Sequence, residues 1–323
     1  VFMDFLANYF SSLNPMSFLS ALPGNIAQGI IWGLMGLGVF LTFKLLNFAD
    51  LSVDGSFATG GAVTAVMLIK GCPVWATIIV AILAGLAAGL VTGLLHTLLG
   101  IPDILAGILT QIALYSINLN IMGKSNLPIS YRNYTLVVSA SNINMAILVG
   151  LGICAVVVAA MYWYFGTEQG STIRSTGSNP AMSKAQGINI NFTKVIALAL
   201  SNGLVALSGS LFAQYQGFAD INMGRGAIVI GLAAVIIGEV LGEAIFRKHM
   251  NFIIRMLFVI VGGILYYIAM GIVLWLKMPT DDTKLFTAII VAIFLAVPYL
   301  QKKRKTSFKK VAKMNAKNAQ KEG

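Results

Sequence analysis

Charged residues are scarce in this chain: they make up 10% of its 323 residues, whereas about a quarter of a soluble domain is charged. Hydrophobic residues reach 58%, with a mean hydropathy of +0.85. This composition excludes intrinsic disorder and leaves too few polar side chains to cover a water-soluble fold. Strands of a membrane barrel would alternate apolar and polar residues, but residues 75–95 are apolar on every face. The sequence therefore predicts an all-α polytopic membrane protein.

Residues that carry enzyme chemistry are equally few. Two cysteines, Cys72 and Cys154, cannot build a disulfide framework, and two histidines, His96 and His249, make only a weak metal site because no carboxylate cluster accompanies them. The sequence contains neither a GxxxxGK[ST] phosphate loop nor a serine in a nucleophile elbow. We therefore predict no catalytic residue, no metal and no cofactor, and expect ATP hydrolysis, if any, on another protein.

Hydrophobic runs predict about nine transmembrane helices, within a range of eight to ten. Residues 1–25 form an apolar N-terminal segment, which we expect to lie at the membrane interface or to add a tenth span. Two of the nine runs are rich in glycine and are predicted to be broken or re-entrant. The nine runs are 26–43, 51–69, 74–95, 104–122, 145–165, 192–213, 228–241, 252–276 and 286–299.

Basic residues are concentrated at the C-terminus. Residues 301–323 contain nine lysines and arginines against one glutamate, a net +8 of the +11 carried by the whole chain. The positive-inside rule predicts a cytoplasmic, disordered tail beside anionic lipid, and with no fold around it we predict no nucleic-acid binding. Counting back from the tail places residues 166–191 in the cytoplasm. These residues separate two halves, 26–165 and 192–300, of one membrane domain spanning 26–300.

Two segments 170 positions apart have similar sequences. Residues 48–51 read FADL and residues 218–221 read FADI, and Gly-Leu pairs at 33–34 and 203–204 precede them at the same spacing. The second copy starts five predicted spans after the first, so the two copies enter the membrane in opposite directions. Inverted repeats are typical of transporters, whose substrate site lies between the repeats near the membrane midplane.

Polar side chains inside predicted spans are candidates for a translocation path, because leaving them in lipid is costly. Asp54 and Glu239 are predicted to lie deepest among the acidic residues of the repeat segments, whereas we expect Asp50, Asp220 and Glu243 among the headgroups. Helix–helix contact is an equally good explanation for the uncharged ones. The six path candidates are Asp54, Gln111, Asn118, Asn202, Gln214 and Glu239.

The segment 166–191 is longer than a simple connection needs. Asn179 followed by Pro180 predicts the start of a short helix over 180–186, and Gly187 predicts its end. This helix presents a small surface that a partner could contact, although an ordinary amphipathic connector would look similar. The residues assigned to the docking surface are Asn179, Pro180, Ala181, Met182, Lys184, Ala185 and Gly187.

Three motifs, taken in order, resemble a known family. They are NFADLSVDGSFATGGAV at 47–63, STGSNPAMSKAQGINI at 175–190, and GSLFAQYQGFADINMGRGAIVIGLAAVIIGEVLG at 209–242. The chain is similar over about residues 26–300 to permease subunits of bacterial ATP-binding-cassette (ABC) importers in the branched-chain amino acid and ribose permease family. Within that family it resembles especially the amino-acid permeases of the tryptophan/tyrosine type.

The resemblance implies a multi-pass protein of the bacterial inner membrane, paired with a second permease copy as a homodimer. It also implies two cytoplasmic ABC ATPase subunits, an extracytoplasmic solute-binding protein or lipoprotein, and docking of the short helix on the ATPase as a coupling helix. An aromatic or branched-chain amino acid is the first expected substrate, with nucleosides and sugars as alternatives. An ion-coupled secondary transporter, in which Asp54 and Glu239 would bind Na⁺ or H⁺, is the alternative function.

Overall fold

The computed structural model describes residues 15–130, 134–246, 250–276, 285–286, 288–293 and 296. Helix α1 continues at its C-terminal end as a π-helical turn, Phe40–Leu45. The elements of the described residues are α1 (Pro15–Val39), α2 (Val53–Ile69), α3 (Val74–Thr97), α4 (Asp103–Met122), β1 (Asn126–Pro128), α5 (Ile143–Gly166), α6 (Glu168–Ser178), α7 (Pro180–Ala185), α8 (Ile190–Gln216), β2 (Phe218–Asp220), α9 (Ala227–Phe246) and α10 (Phe252–Trp275).

Seven helices of the described residues are long and apolar enough to cross a membrane: α1 with its π-helical turn, α3, α4, α5, α8, α9 and α10. The predicted all-α membrane fold is confirmed. The predicted count of nine is not, because α2 has only 17 residues and the run 286–299 is described only in part.

The first span begins earlier than the sequence predicted. Within the described residues helix α1 runs from Pro15 and continues through Pro23. Residues 15–25 are therefore continuous with the first span. The rest of the predicted interfacial segment, residues 1–14, lies outside the described residues.

Helices α1 and α8 form the centre of the bundle and run antiparallel. The Ser201 hydroxyl donates to the Gly38 carbonyl over 2.7 Å, and the Ser208 hydroxyl donates to the Ile31 carbonyl over 2.7 Å. Residue numbers thus rise along one helix as they fall along the other. Because α1 and α8 carry the two copies of the repeat, the repeat is inverted, as predicted.

Helix α2 starts beside the middle of α8. The Ser56 hydroxyl, in the first turn of α2, donates to Asn202 Oδ1 over 2.6 Å, and Asn202 lies halfway along α8. The hydroxyl of Thr64 donates to that of Ser210 over 2.7 Å further along both helices, which therefore run in the same direction. Helix α2 thus follows only the second half of α8.

Helix α9 repeats this arrangement against α1. Gly231, in its second turn, packs against Met35 and Val39, and Glu239 bonds to Lys44 at the end of the π-helical turn. The two glycine-rich segments therefore each supply a helix that begins inside the bundle, and the two helices run in opposite directions. Broken segments of this kind occur at membrane depth where they are buried in protein or line a cavity.

The two FAD copies share a local structure at their aspartates. Asp50 Oδ1 accepts the backbone N–H of Ser52 over 2.9 Å, and Asp220 Oδ1 accepts that of Asn222 over 2.7 Å. The surroundings differ, because the second copy is strand β2, which pairs antiparallel with β1 in the loop between α4 and α5. The repeat therefore extends from sequence to backbone geometry.

Candidate functional site

A cavity of about 320 Å³ lies where the start of α2 meets the segment that leads into α9. Helix α4 completes its wall. Cavities that hold small molecules run from about 300 to 1,000 Å³, so this one has room for a single small solute. The polar residues of its lining are Asp54, Gln111, Tyr115, Ser116, Asn118, Asn222 and Arg225.

Asp54 holds the two broken segments together. Its Oδ2 atom accepts the backbone N–H of Gly226 over 3.0 Å, and its Oδ1 atom accepts that of Ile228 over 2.9 Å. A carboxylate at this position stabilises the N-terminus of α9 by satisfying its free amides and opposing the positive end of its dipole. Gly224 packs against the Asp54 carbonyl so closely that an added Cβ would overlap it. Residues 54 and 224 are equivalent in the repeat, so the repeat axis passes between them.

Two amide side chains of α4 face the cavity. Gln111 and Asn118 are seven residues apart, two helical turns, and so lie on one face of the helix. Asn118 is only 1% exposed, and neither its Oδ1 nor its Nδ2 atom has a hydrogen-bond partner among the described residues. A buried amide left unpaired costs roughly 1–3 kcal/mol per group, which makes Asn118 a candidate ligand contact.

Arg225 brings the opposite charge to the same cavity. It is exposed and, within the part of the chain that the structure describes, has no carboxylate at salt-bridge distance. Sequence reasoning placed Asp54, Gln111 and Asn118 on the path but missed Arg225, Asn222 and Tyr115. Nothing in the local sequence of Arg225 indicates that it lines this cavity, because it lies in the turn between β2 and α9 and reaches the cavity only through the reversal of the chain there.

Asn202 lies away from the cavity, in a buried polar cluster with Asp50. Its Nδ2 atom donates to Asp50 Oδ2 over 2.8 Å, while its Oδ1 atom accepts from the hydroxyls of Ser52 and Ser56. The Ser52 hydroxyl also donates to Asp50 Oδ1. Our expectation that Asp50 lies among headgroups was wrong: it is 2% exposed, because these donors satisfy its carboxylate inside the bundle.

The remaining two path candidates make structural contacts. Glu239 forms a salt bridge with Lys44 at 2.8 Å and lies 3.9 Å from Arg255, which ties α9 to α1 and α10. Gln214 Oε1 accepts the backbone N–H of Val137 over 3.0 Å and so fixes the loop between α4 and α5 to α8. Neither residue lines the cavity that contains Asp54.

The predicted docking residues lie on α7. Asn179 Oδ1 accepts the N–H of Met182 over 3.1 Å, Pro180 occupies the first turn, and Gly187 follows the helix with φ of +82°. The start and end signals read from the sequence are therefore present in the structure. Ala181, Met182, Lys184 and Ala185 are exposed.

A second helix in this segment, α6, was missed. Its sequence, EQGSTIRSTGS, contains glycine, serine and threonine, which are weak helix formers, so tertiary contacts must sustain it. Ile173 is buried, and an Arg174 guanidinium N–H donates to the Phe165 carbonyl over 3.0 Å. Gly177 packs directly on the backbone of Leu45. Helix α6 therefore attaches α7 to the ends of α1 and α5.

Comparison with known proteins matches residues 24–298 to the family described as branched-chain amino acid transport system, permease component. The tyrosine transport system permease protein of Clostridioides difficile is 42% identical over 301 residues, which cover 93% of this chain and 99% of that protein. The D-allose transport system permease protein of Escherichia coli is 26% identical over 263 residues, or 79% of this chain and 77% of that protein.

A solved structure supports the architecture. A chain of PsaBC from Streptococcus pneumoniae, determined in complex with a Fab, superposes with a TM-score of 0.51 over 90% of this chain and 94% of that chain. At 16% identity this likeness shows the fold alone. The family match covers most of the chain, and the resemblance read from the three motifs is confirmed. The chain belongs to the family of branched-chain amino acid transport system permease components.

Proposed function

We propose that this chain is the membrane subunit of an ABC importer in the bacterial inner membrane, and that it moves an amino acid, first of all an aromatic one, into the cell. The observation that carries the proposal is the 42% identity to a tyrosine transport permease along 99% of that protein. Two copies of the chain would form the pore with two cytoplasmic ATPase subunits, and an extracytoplasmic protein would deliver the solute.

The inverted repeat supports a mechanism of alternating access. Helices α2 and α9 start beside the same cavity and lead away from it in opposite directions, so tilting one half against the other would open the cavity to one side at a time. Asp54 joins the two helix starts and would act as the pivot. The salt bridge between Lys44 and Glu239 would hold the far end of α9 against α1.

We propose that α7 transmits the conformational change of the ATPase to the membrane helices. This six-residue helix is too short to be stable alone, and its exposed Ala181 and Met182 offer an apolar contact for the ATPase. Movement of α7 would pass to the ends of α1 and α5 through the contacts of Gly177 and Arg174.

Replacing Ala181 with arginine is expected to abolish both ATPase co-purification and ATP-driven uptake. The change pushes a bulky, unpaired charge into the proposed docking surface. Lys184→Ala is the matched control on the same helix, and we expect it to lose less than about 1 kcal/mol of binding because exposed charges contribute little. The ATPase retained after detergent purification and the uptake of radiolabelled L-tyrosine are measured together.

Retention of the ATPase by Ala181→Arg, with normal uptake, would remove α7 as the docking element. Uptake by the unmodified chain without any ATPase, driven by a Na⁺ or H⁺ gradient, would favour the secondary transporter instead. Asp54, which lies at the start of α2 inside the bundle, would then be the first residue to test.

The orientation of the chain is a separate prediction. A cysteine at exposed Asn126 should react with a membrane-impermeant thiol reagent in intact cells, whereas one at exposed Lys184 should react only after lysis, because the positive-inside rule places α7 in the cytoplasm. Labelling of Lys184→Cys from outside would reverse the orientation. The basic tail, residues 301–323, is predicted to lie on the same side as α7 and is outside the described residues.

A further inference from the structure

We infer that the cavity between α2, α4 and α9 binds the zwitterionic backbone of an amino acid, with Asp54 contacting the ammonium group and Arg225 the carboxylate. This assignment rests on the proposed function and gives its substrate a place in the chain. It also implies that the membrane subunit itself selects solutes that carry both an ammonium and a carboxylate group.

The two charged residues line the same small cavity. Gly226, whose backbone N–H binds Asp54, directly follows Arg225, so both charges border the same small cavity. A ligand with an ammonium and a carboxylate group on one carbon atom needs one charge of each sign within the same cavity. Asp54 accepts the backbone N–H groups of Gly226 and Ile228, with that of Ala227 beside them, and a carboxylate has about four acceptor positions, so one remains for an ammonium group.

Asn118 gives an independent indication of a ligand. This residue lines the cavity, is almost fully buried and, among the described residues, lacks a partner for both its donor and its acceptor. Asn202, by contrast, is paired with Asp50 and Ser56. An amino-acid carboxylate can accept from Asn118 Nδ2, and an ammonium group can donate to its Oδ1.

Apolar residues of the lining complete the site. Ala58, Ile112 and Ile221 provide a surface for a side chain, and the Tyr115 ring can pack against an aromatic group. Sugar hydroxyl groups can hydrogen-bond to the amides of Gln111 and Asn118 and to both charged side chains, but a sugar neutralises neither charge. The charge pair therefore favours an amino acid over the sugars that other members of the family carry, such as D-allose.

The test measures ligand protection of a thiol placed in the cavity. Ser116, an exposed residue of the lining, is replaced with cysteine in a Cys72→Ser/Cys154→Ala background, and the complete complex with its ATPase is held in lipid nanodiscs. The rate at which a small thiol reagent modifies this cysteine is measured at increasing concentrations of four ligands. Two of them are L-tyrosine and D-ribose. The other two are tyramine, which lacks the carboxylate of tyrosine, and 3-(4-hydroxyphenyl)propionate, which lacks its ammonium group.

We expect L-tyrosine to protect at the lowest concentration. Arg225→Gln should raise its half-protecting concentration about tenfold or more, the usual effect of losing a charge-assisted hydrogen bond, and leave tyramine unchanged. Asn118→Leu should weaken both ligands. Lys70→Gln removes the same charge at the exposed end of α2, outside the cavity, and should change neither.

Equal protection by D-ribose, or an unchanged preference for tyrosine over tyramine in Arg225→Gln, overturns the assignment. Uptake by the complete complex is measured in parallel. If the complex imports L-tyrosine while the cysteine at position 116 stays unprotected, the cavity assignment fails and the proposed function stands. If the complex imports no amino acid, the proposed function fails and the assignment fails with it.

Discussion

Alanine at position 60 is expected to prevent stable folding, whereas alanine at the neighbouring position 61 is expected to be tolerated. A Cβ atom on Gly60 would overlap the backbone carbonyl of Ala206, so α2 could stay in place only by moving away from α8. A Cβ atom on Gly61 would lie 2.6 Å from the sulfur of Met223, a flexible side chain that can turn aside. Overpacking against a fixed backbone costs up to about 3 kcal/mol, and occasionally more.

The measurement is the thermal unfolding of purified protein in detergent, together with its elution on a sizing column. Gly152→Ala is the matched control, because Gly152 lies within α5 and an added Cβ there would meet nothing within 4 Å. A Gly60→Ala protein that unfolds at the wild-type temperature would contradict the tight contact between α2 and α8.

Asn202→Leu is the second change with a large expected effect. It removes the amide that donates to Asp50 and the oxygen that accepts from Ser52 and Ser56, and so leaves a buried carboxylate short of one donor. Leaving a buried polar group without its hydrogen-bond partner costs about 1–3 kcal/mol, and more when that group is charged. We expect little folded protein to be recovered and no uptake.

The exchange variant Asp50→Asn/Asn202→Asp distinguishes the loss of hydrogen bonds from a poor fit of the leucine side chain. It keeps one carboxylate and one amide in the cluster, so hydrogen bonds can form again with the roles reversed. Recovery of folded protein well above that of Asn202→Leu is the expected result. Equal loss in both variants would mean that the fit of side chains, rather than their hydrogen bonding, makes this position sensitive.

Much of the architecture could be predicted because its signals are local. Long apolar runs located the helices to within a few residues, except at the start of α1. Asn179, Pro180 and Gly187 gave the bounds of α7, because capping depends on adjacent residues. The FAD repeat predicted the antiparallel relation of α1 and α8 from chain topology alone. Gln111 and Asn118 could be predicted to face the same way because they are two turns apart on one helix.

Contacts between distant segments could not be predicted in the same way. Asp50 follows closely after Lys44, which suggested a headgroup position, and nothing local indicates that Asn202, 152 residues later, donates to it. Arg225 reaches the cavity through a turn of the chain whose course depends on the pairing of β1 with β2. Helix α6 was missed because contacts with α1 and α5, rather than helix propensity, sustain it.

The close approach of Asp54 and Gly224 bears on how such a chain could arise. A precursor built from two identical, separate halves would place the same residue on both sides of the axis. A second aspartate at position 224 would press its Cβ atom into the backbone carbonyl of Asp54, while two glycines would leave the α9 amides uncapped. Joining the halves in one chain allows the positions to differ. One half can then keep the carboxylate while the other keeps the glycine that lets the two backbones approach, an asymmetry that two identical halves could not have.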